Sequence, residues 1–325
     1  MRDFCQGKYR QLLIHWKWEN IMSIRQCLIC RINENRFSVN DVTTWFSKDT
    51  KSETNGAEKL YRLYFPEYKE LVGSLDLDGF SNLRNVKISR NKIVAMNLTN
   101  CPSLVTVAAV DCEVENALIT GSGNMTLMNF LGNPLKSIQY DYNSSKTAKL
   151  SATEGGTFQV KFYLNDAGKP RHTLKAVPQK GYAFMGWYNG SKLVSKKTTF
   201  TSTRASNFHY IAKFEKMERP EQPDFKVVRN GQGKLKTTIT KLPGDTVTYY
   251  QISYTVQGVE KRKSVKHVES AAETQSVVLS NLQDGKTYTV KVRAYKVYPD
   301  GQKAWGNWSE EKKIKTETKK KVVKK

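Results

Sequence analysis

Residues 73–140 repeat themselves every 21 positions, and few folds are open to a chain with that period. Leu83, Val86, Ile88, Asn91 and Ile93 recur as Leu104, Val107, Ala109, Cys112 and Val114, then as Met125, Met128, Phe130, Asn133 and Leu135. A second register runs through Leu75 and Leu77, Met96 and Leu98, Ala117 and Ile119, then Ile138 and Tyr140. A unit this short cannot bury its apolar side alone. Successive copies must stack, one short strand per repeat, into a curved solenoid. The repetition points to a built surface rather than to an active-site cleft.

A chain of 325 residues has room for two or three domains of about 100–200 residues each. Its formal net charge of +23 favours anionic partners, such as nucleic acid, an anionic membrane or an anionic envelope polymer. Five cysteines, two of them inside the repeat, argue against a disulfide framework. No apolar run reaches the roughly 18 residues of a membrane-spanning helix. The amino terminus shows no export signal, because Leu12-Leu13-Ile14 is followed at once by His15, Trp16, Lys17 and Trp18.

Residues 1–72 are expected to form a partly helical cap over the first rung, with helix over 1–35 and again over Val39–Ser47. The repeats occupy 73–145. Residues 150–216 alternate apolar and polar positions, as in Phe158, Val160 and Phe162, between turn residues, and predict a small all-β or β-grasp-like module. Glu218–Pro223 is a stiff, polar linker. Residues 224–317 carry strands at Leu235–Thr240, Tyr250–Val256, Ser276–Leu279, Tyr288–Tyr295 and Lys312–Thr316, the pattern of a β-sandwich. Residues 318–325 form a basic tail. The expected fold class is mainly β and multi-domain.

Three family resemblances follow. Met96–Leu104 reads Met-Asn-Leu-Thr-Asn-Cys-Pro-Ser-Leu and resembles the bacterial cell-surface leucine-rich repeat. Gly181–Trp187, with Ala212-Lys213-Phe214 as its close, resembles the B-repeat of internalin-like proteins. Tyr250–Tyr254, Leu282–Tyr288 and Gly306–Ser309 resemble a fibronectin type III domain, in which Tyr288 would be the corner tyrosine. In that order, the three imply an extracellular or cell-surface protein of a Gram-positive-type bacterium.

In the repeat consensus the alternate strand positions face outward on the concave side. Those positions are Asn85, Lys87 and Ser89, then Thr106, Ala108 and Val110, then Leu127, Asn129 and Leu131. Val110, Leu127 and Leu131 would place an apolar cluster in water, which is a mark of a binding surface. Trp187 could stack on a sugar, but in so small a module it reads better as the packing centre. Cys27-Leu28-Ile29-Cys30 offers half the ligands of a structural zinc site, without a second pair, so no metal or cofactor is expected. The four histidines are scattered and no catalytic motif is present, so no enzyme activity is expected.

The predicted function is non-catalytic adhesion or ligand recognition through the concave face, with the β modules as spacers. The expected partner is a protein or glycan on a host or neighbouring cell, with an anionic cell-wall polymer as a second candidate. Nucleic acid is disfavoured, since none of its recognition motifs is present. Two alternatives remain open: the accessory region of an exported hydrolase whose catalytic domain lies elsewhere, and a salt-sensitive basic binder of wall polymer or nucleic acid.

Overall fold

The computed structural model describes residues 37–38, 62–64, 71–142 and 146–318. The chain divides into two compact units, Met1–Glu215 and Lys216–Lys325.

In the first unit each 21-residue coil contributes two strands, one to each of two facing sheets. Leu71–Asp76, Lys92–Asn97, Asn116–Ile119 and Ser137–Tyr142 pair in parallel in one sheet. Arg62–Tyr64, Asn85–Lys87, Thr106–Ala108 and Leu127–Asn129 pair in parallel in the other. Side chains alternate across a strand, so both sequence registers aim inward. Leu75, Val86, Leu104, Val107, Met128 and Ile138 are all essentially without solvent exposure.

The corners between the two sheets repeat as faithfully as the core does. Gly79, Asn100 and Gly121 share one left-handed corner, with φ of 78°, 52° and 77°. Arg90, Asp111 and Gly132 share the other, at 62°, 53° and 78°. That backbone region favours glycine and asparagine, which hold four of the six positions. Inside the corners a buried polar side chain satisfies a carbonyl of the preceding coil. The Cys101 thiol donates to the Leu77 carbonyl and the Cys112 thiol to that of Ile88, each at 3.2 Å, while the Asn133 amide donates to Ala109. Cys112 thus fills the asparagine role of the repeat. Burial pushes the Cys101 thiol up to about 11, so it is neutral and inert.

Residues 146–215, which include most of the small module expected over 150–216, pair directly with the last strands of the solenoid. Lys146–Ala152 pairs antiparallel with Ser137–Tyr142 and parallel with Phe208–Lys216, and Tyr182–Asn189 and Lys192–Ser195 follow in the same sheet. Gly156–Leu164 pairs antiparallel with Leu127–Asn129, and Pro170–Pro178 and Thr199–Ser202 follow in the other. Both solenoid sheets simply continue, nine strands long and seven strands long among the described residues. An open last coil would leave two strand edges and a core rung in water, and these strands cover all three. One continuous core accordingly runs from Leu75 to Phe214.

The expected helical cap is corrected by the same structure. The described residues contain no helix, and those described within 1–72 are strand: Phe37–Ser38, Arg62–Tyr64 and the start of Leu71–Asp76. One strand from this region ends each sheet, Phe37–Ser38 beside Leu71–Asp76 and Arg62–Tyr64 beside Asn85–Lys87, so the solenoid is β on both sides. The two helices expected over 1–35 and Val39–Ser47 fall outside the described residues, as do Cys27, Cys30 and residues 319–325 of the basic tail.

Gly186 shows why the Gly181–Trp187 motif needs its second glycine. Its φ is 142°, and an added Cβ would sit 2.5 Å from the Leu193 side chain and 3.1 Å from the Ser195 carbonyl oxygen. Gly186→Ala is expected to cost about 1–3 kcal/mol, read as a lower denaturant midpoint of the first unit. An unchanged midpoint would contradict this account of the turn.

The second unit is a two-sheet sandwich. Phe225–Arg229, Leu235–Thr240 and Thr274–Leu279 form one sheet. Val259–Lys266, Tyr249–Val256 and Thr287–Val297 form the other, with Lys303–Trp305 and Lys312–Lys315 both pairing to the last of these. Its core holds Phe225, Leu235, Ile239, Tyr250, Ile252, Val290 and Val292. The Tyr288 hydroxyl accepts the Gln283 amide at 2.9 Å, the bond a tyrosine corner makes. In the segment expected as a stiff, polar linker, Pro220 and Pro223 are buried, and the Glu218 amide donates to the Tyr298 hydroxyl at 2.9 Å.

Candidate functional site

The nine residues predicted to bind all lie on the outward side of the seven-stranded sheet, in three rows set by the strand register. Asn85, Thr106 and Leu127 form the first row, and Lys87, Ala108 and Asn129 the second. Ser89, Val110 and Leu131 form the third, just past the strand ends, where the Val110 amide donates to the Ser89 hydroxyl at 3.1 Å. Lys87 is exposed and the other eight are half-buried. The apolar members do not make one patch. Val110 and Leu131 are neighbours, whereas Leu127 lies beyond Asn129, about 13 Å from Leu131 along the strand.

The rows do not stop at the last repeat. Leu127 faces Tyr163 and then Arg171, and Asn129 faces Lys161, Thr173 and Thr201. The Lys161 ammonium lies 5.6 Å from the Tyr163 ring centre. Sequence reasoning stopped at residue 131 because it treated 150–216 as a separate body. The alternation Phe158, Val160, Phe162 already placed Lys161 and Tyr163 on the outward side. Charge follows the same division. Residues 146–215 hold twelve Lys and Arg against three Asp and Glu, whereas residues 71–142 hold five against six.

A second surface, on the opposite sheet, was not foreseen. A shallow depression of about 410 Å³ lies across the parallel strands there, lined by Asp76, Asn97, Asn116, Ser137, Gln139 and Lys149 among others. One row across it reads Asp76, Asn97, Leu118, Gln139, Lys149 and His209. The Asn97 amide donates to Asp76 at 3.0 Å, and the Ser137 hydroxyl to Asn116 at 2.7 Å. Leu118, Val94 and Val72 are exposed on this sheet, at 39%, 40% and 49%. This depression lies on the sheet built by the second register. Periodicity alone could not say which of two apolar registers backs a depression.

Ser151 and His209 stand 3.2 Å apart on neighbouring strands of that sheet. Burial, and then the nearby Lys149 charge, lower the His209 pKa. The pair lies in the middle of an open sheet face, which provides no water-excluded cleft for covalent catalysis. Trp187 is fully buried among Phe158, Phe184 and Phe200, so its ring is closed to a sugar. Among the described residues no cluster of three or more metal-ligating side chains is assembled, and no helix is long and apolar enough to cross a membrane.

A family model described as a divergent InlB B-repeat domain matches residues 146–218. No curated protein matches the chain by sequence. Among solved structures, the chain is similar to the FN1–FN3 domains of chicken CNTN1, at 11% identity and a TM-score of 0.28, over 50% of this chain and 78% of that one. It is also similar to the FN5 domain of Drosophila Lar, at 20% identity and a TM-score of 0.24, over 31% of this chain and 99% of that one. The sandwich is defined by its own strand order, a three-stranded sheet against a five-stranded one. A B-repeat-type segment beside a fibronectin-like sandwich fits a non-catalytic adhesion or spacer role at a coarse level.

Proposed function

We propose that this chain is a non-enzymatic extracellular or surface protein that recognises a protein or glycan on another cell through the outward faces of its first unit. The second unit serves as a spacer. The reading is carried by the uninterrupted face of the seven-stranded sheet, which runs from Asn85–Lys87 through Leu127–Asn129 into Thr199–Ser202. A wide, open and rigid sheet offers area and fixed side chains to a large partner, and nothing that would enclose a small substrate. Affinity would come from Val110, Leu131 and Tyr163, and steering from Lys161 and Arg171.

The test is binding of the labelled full chain to suspended animal cells, read by flow cytometry. Val110→Asp with Leu131→Asp is expected to cut bound signal at least about tenfold at an unchanged melting midpoint, since both side chains are half-buried at the surface. Leu118→Asp, on the other sheet, is expected to bind as the unaltered chain. The opposite outcome would move the site to the depression beside Leu118.

A further inference from the structure

In the second unit, the outward side of the larger sheet holds cations pinned on aromatic rings. The Arg293 guanidinium lies 3.9 Å from the Trp305 ring centre and 4.4 Å from that of Trp308. Arg262 and Lys291 flank Trp308 at 5.8 and 5.6 Å. Lys303 lies 5.6 Å from Tyr295, which stacks between Tyr249 at 5.2 Å and Trp305 at 4.3 Å. The register sorts these groups into rows. Lys266, Tyr249, Tyr295 and Trp305 share one, Gln251 and Arg293 the next, and Arg262, Ser253 and Lys291 a third. Rows on one side of a strand are two residues apart, so positive charge repeats about every 7 Å.

Two carboxylates offset part of that charge: Glu260 pairs with Arg262 at 2.8 Å and Glu311 with Lys291 at 3.1 Å, exposed pairs that an incoming polyanion can displace at little cost in stability. Arg293 donates to the neutral Gln251 amide oxygen at 3.1 and 2.7 Å. Burial against the rings is the main cause that holds the Arg293 pKa below its ordinary value, with a smaller push from the Arg262 charge that Glu260 opposes. An arriving anion would favour the charged form of this partly desolvated guanidinium. Stacking on the rings has already fixed the cations, so binding loses little side-chain freedom.

The kind of anion follows from the rings. Their faces are covered by cations and by one another, which leaves no open platform for a nucleic-acid base. Repeated charge without bases is what remains. We propose that this face binds a phosphodiester polymer that lacks bases, of the poly(glycerol phosphate) type, laid across the three rows. Arginine suits phosphate because its planar fork matches the phosphate oxygens. The site is independent of the face in the first unit, so either reading can fail without the other.

Fluorescent poly(glycerol phosphate) titrated with the full chain at about 50 and about 200 mM salt provides the test. Arg262→Gln with Lys291→Gln is expected to weaken binding at low salt at least about tenfold and to flatten the salt dependence by a slope of about one to two. Lys196→Gln with Lys197→Gln removes the same charge from exposed positions of the first unit and is expected to change nothing. Equal loss in both pairs would reduce the effect to diffuse charge and overturn the site. So would unchanged affinity in the Arg262 and Lys291 pair. Tighter binding of a length-matched oligothymidylate than of poly(glycerol phosphate) would overturn the ligand class.

Discussion

A chain cut after residue 145 is expected to yield no soluble, cooperatively folding solenoid, although all its repeats are intact. The cut removes Lys146–Ala152 from the edge of Ser137–Tyr142 and Gly156–Leu164 from the edge of Leu127–Asn129. Two parallel stacks would then end in unpaired amides and carbonyls, which template aggregation. It would also open the last rung of the core. Met128, Phe130, Leu135, Tyr140 and Tyr142 are at most 1% exposed, and all lie next to residues the cut deletes. Uncovering several such side chains at about 1.5–3 kcal/mol each exceeds the whole stability of an ordinary domain. The matching fragment 216–325 has its own core and is expected to melt cooperatively alone. Size-exclusion chromatography with thermal melting decides the matter. A monomeric fragment 1–145 with a sharp transition would show that residues 146–215 are an accessory, not the closing part of the same fold.

The repeat was legible because its constraint is local and redundant. Each inward position recurs at 21-residue intervals, and burial of Leu83, Leu104 and Met125 follows from the period alone. The two-sided β character was harder to read. Asn116–Ile119 and Thr106–Ala108 are short strands, and only their parallel stacking distinguishes them from the irregular return path of a one-strand coil. The fusion with residues 146–215 left no local trace. Gly156–Leu164 alternates like any half-buried strand, and nothing in it states that its partner lies at Leu127–Asn129. In the second unit the unrecognised strands are Phe225–Arg229, Val259–Lys266 and Lys303–Trp305, and of these Val259–Lys266 reads Val-Glu-Lys-Arg-Lys-Ser-Val-Lys and is exposed almost throughout. It is an edge strand protected by charge, so the alternation that betrays other strands is absent. That same missing signal concealed the cation array, whose Arg262 sits on this edge.

Acid is expected to unfold the first unit through one buried imidazole. His172 is fully buried between the sheets, against Tyr140, Tyr142, Phe162 and Phe208. Its Nε2 lies 3.1 Å from the Arg204 carbonyl oxygen, and its Nδ1 lies 2.6 Å from the Tyr140 hydroxyl. A carbonyl can only accept, so Nε2 carries the proton and Nδ1 accepts from Tyr140. Both ring nitrogens are then satisfied with the ring neutral. Burial lowers the pKa from 6.5 to about 4, only partly offset by the Arg204 carbonyl. Between those values the unfolded chain binds a proton that the folded chain refuses, so stability falls as pH drops from about 6.5 to about 4. Above that window the neutral ring is favoured in both states, and below it both are protonated. A shift of this size corresponds to about 3 kcal/mol, a large share of a domain's stability. His172→Gln keeps polar groups in the pocket and removes the titration. The variant is expected to be less stable than the unaltered chain at pH 7, with the gap closing by about 3 kcal/mol at pH 4. Carboxylates and His209 titrate in both proteins and cancel in the difference. Denaturant unfolding of the first unit at both pH values gives that difference directly, and a gap that stays constant would mean that His172 is not the group through which acid acts.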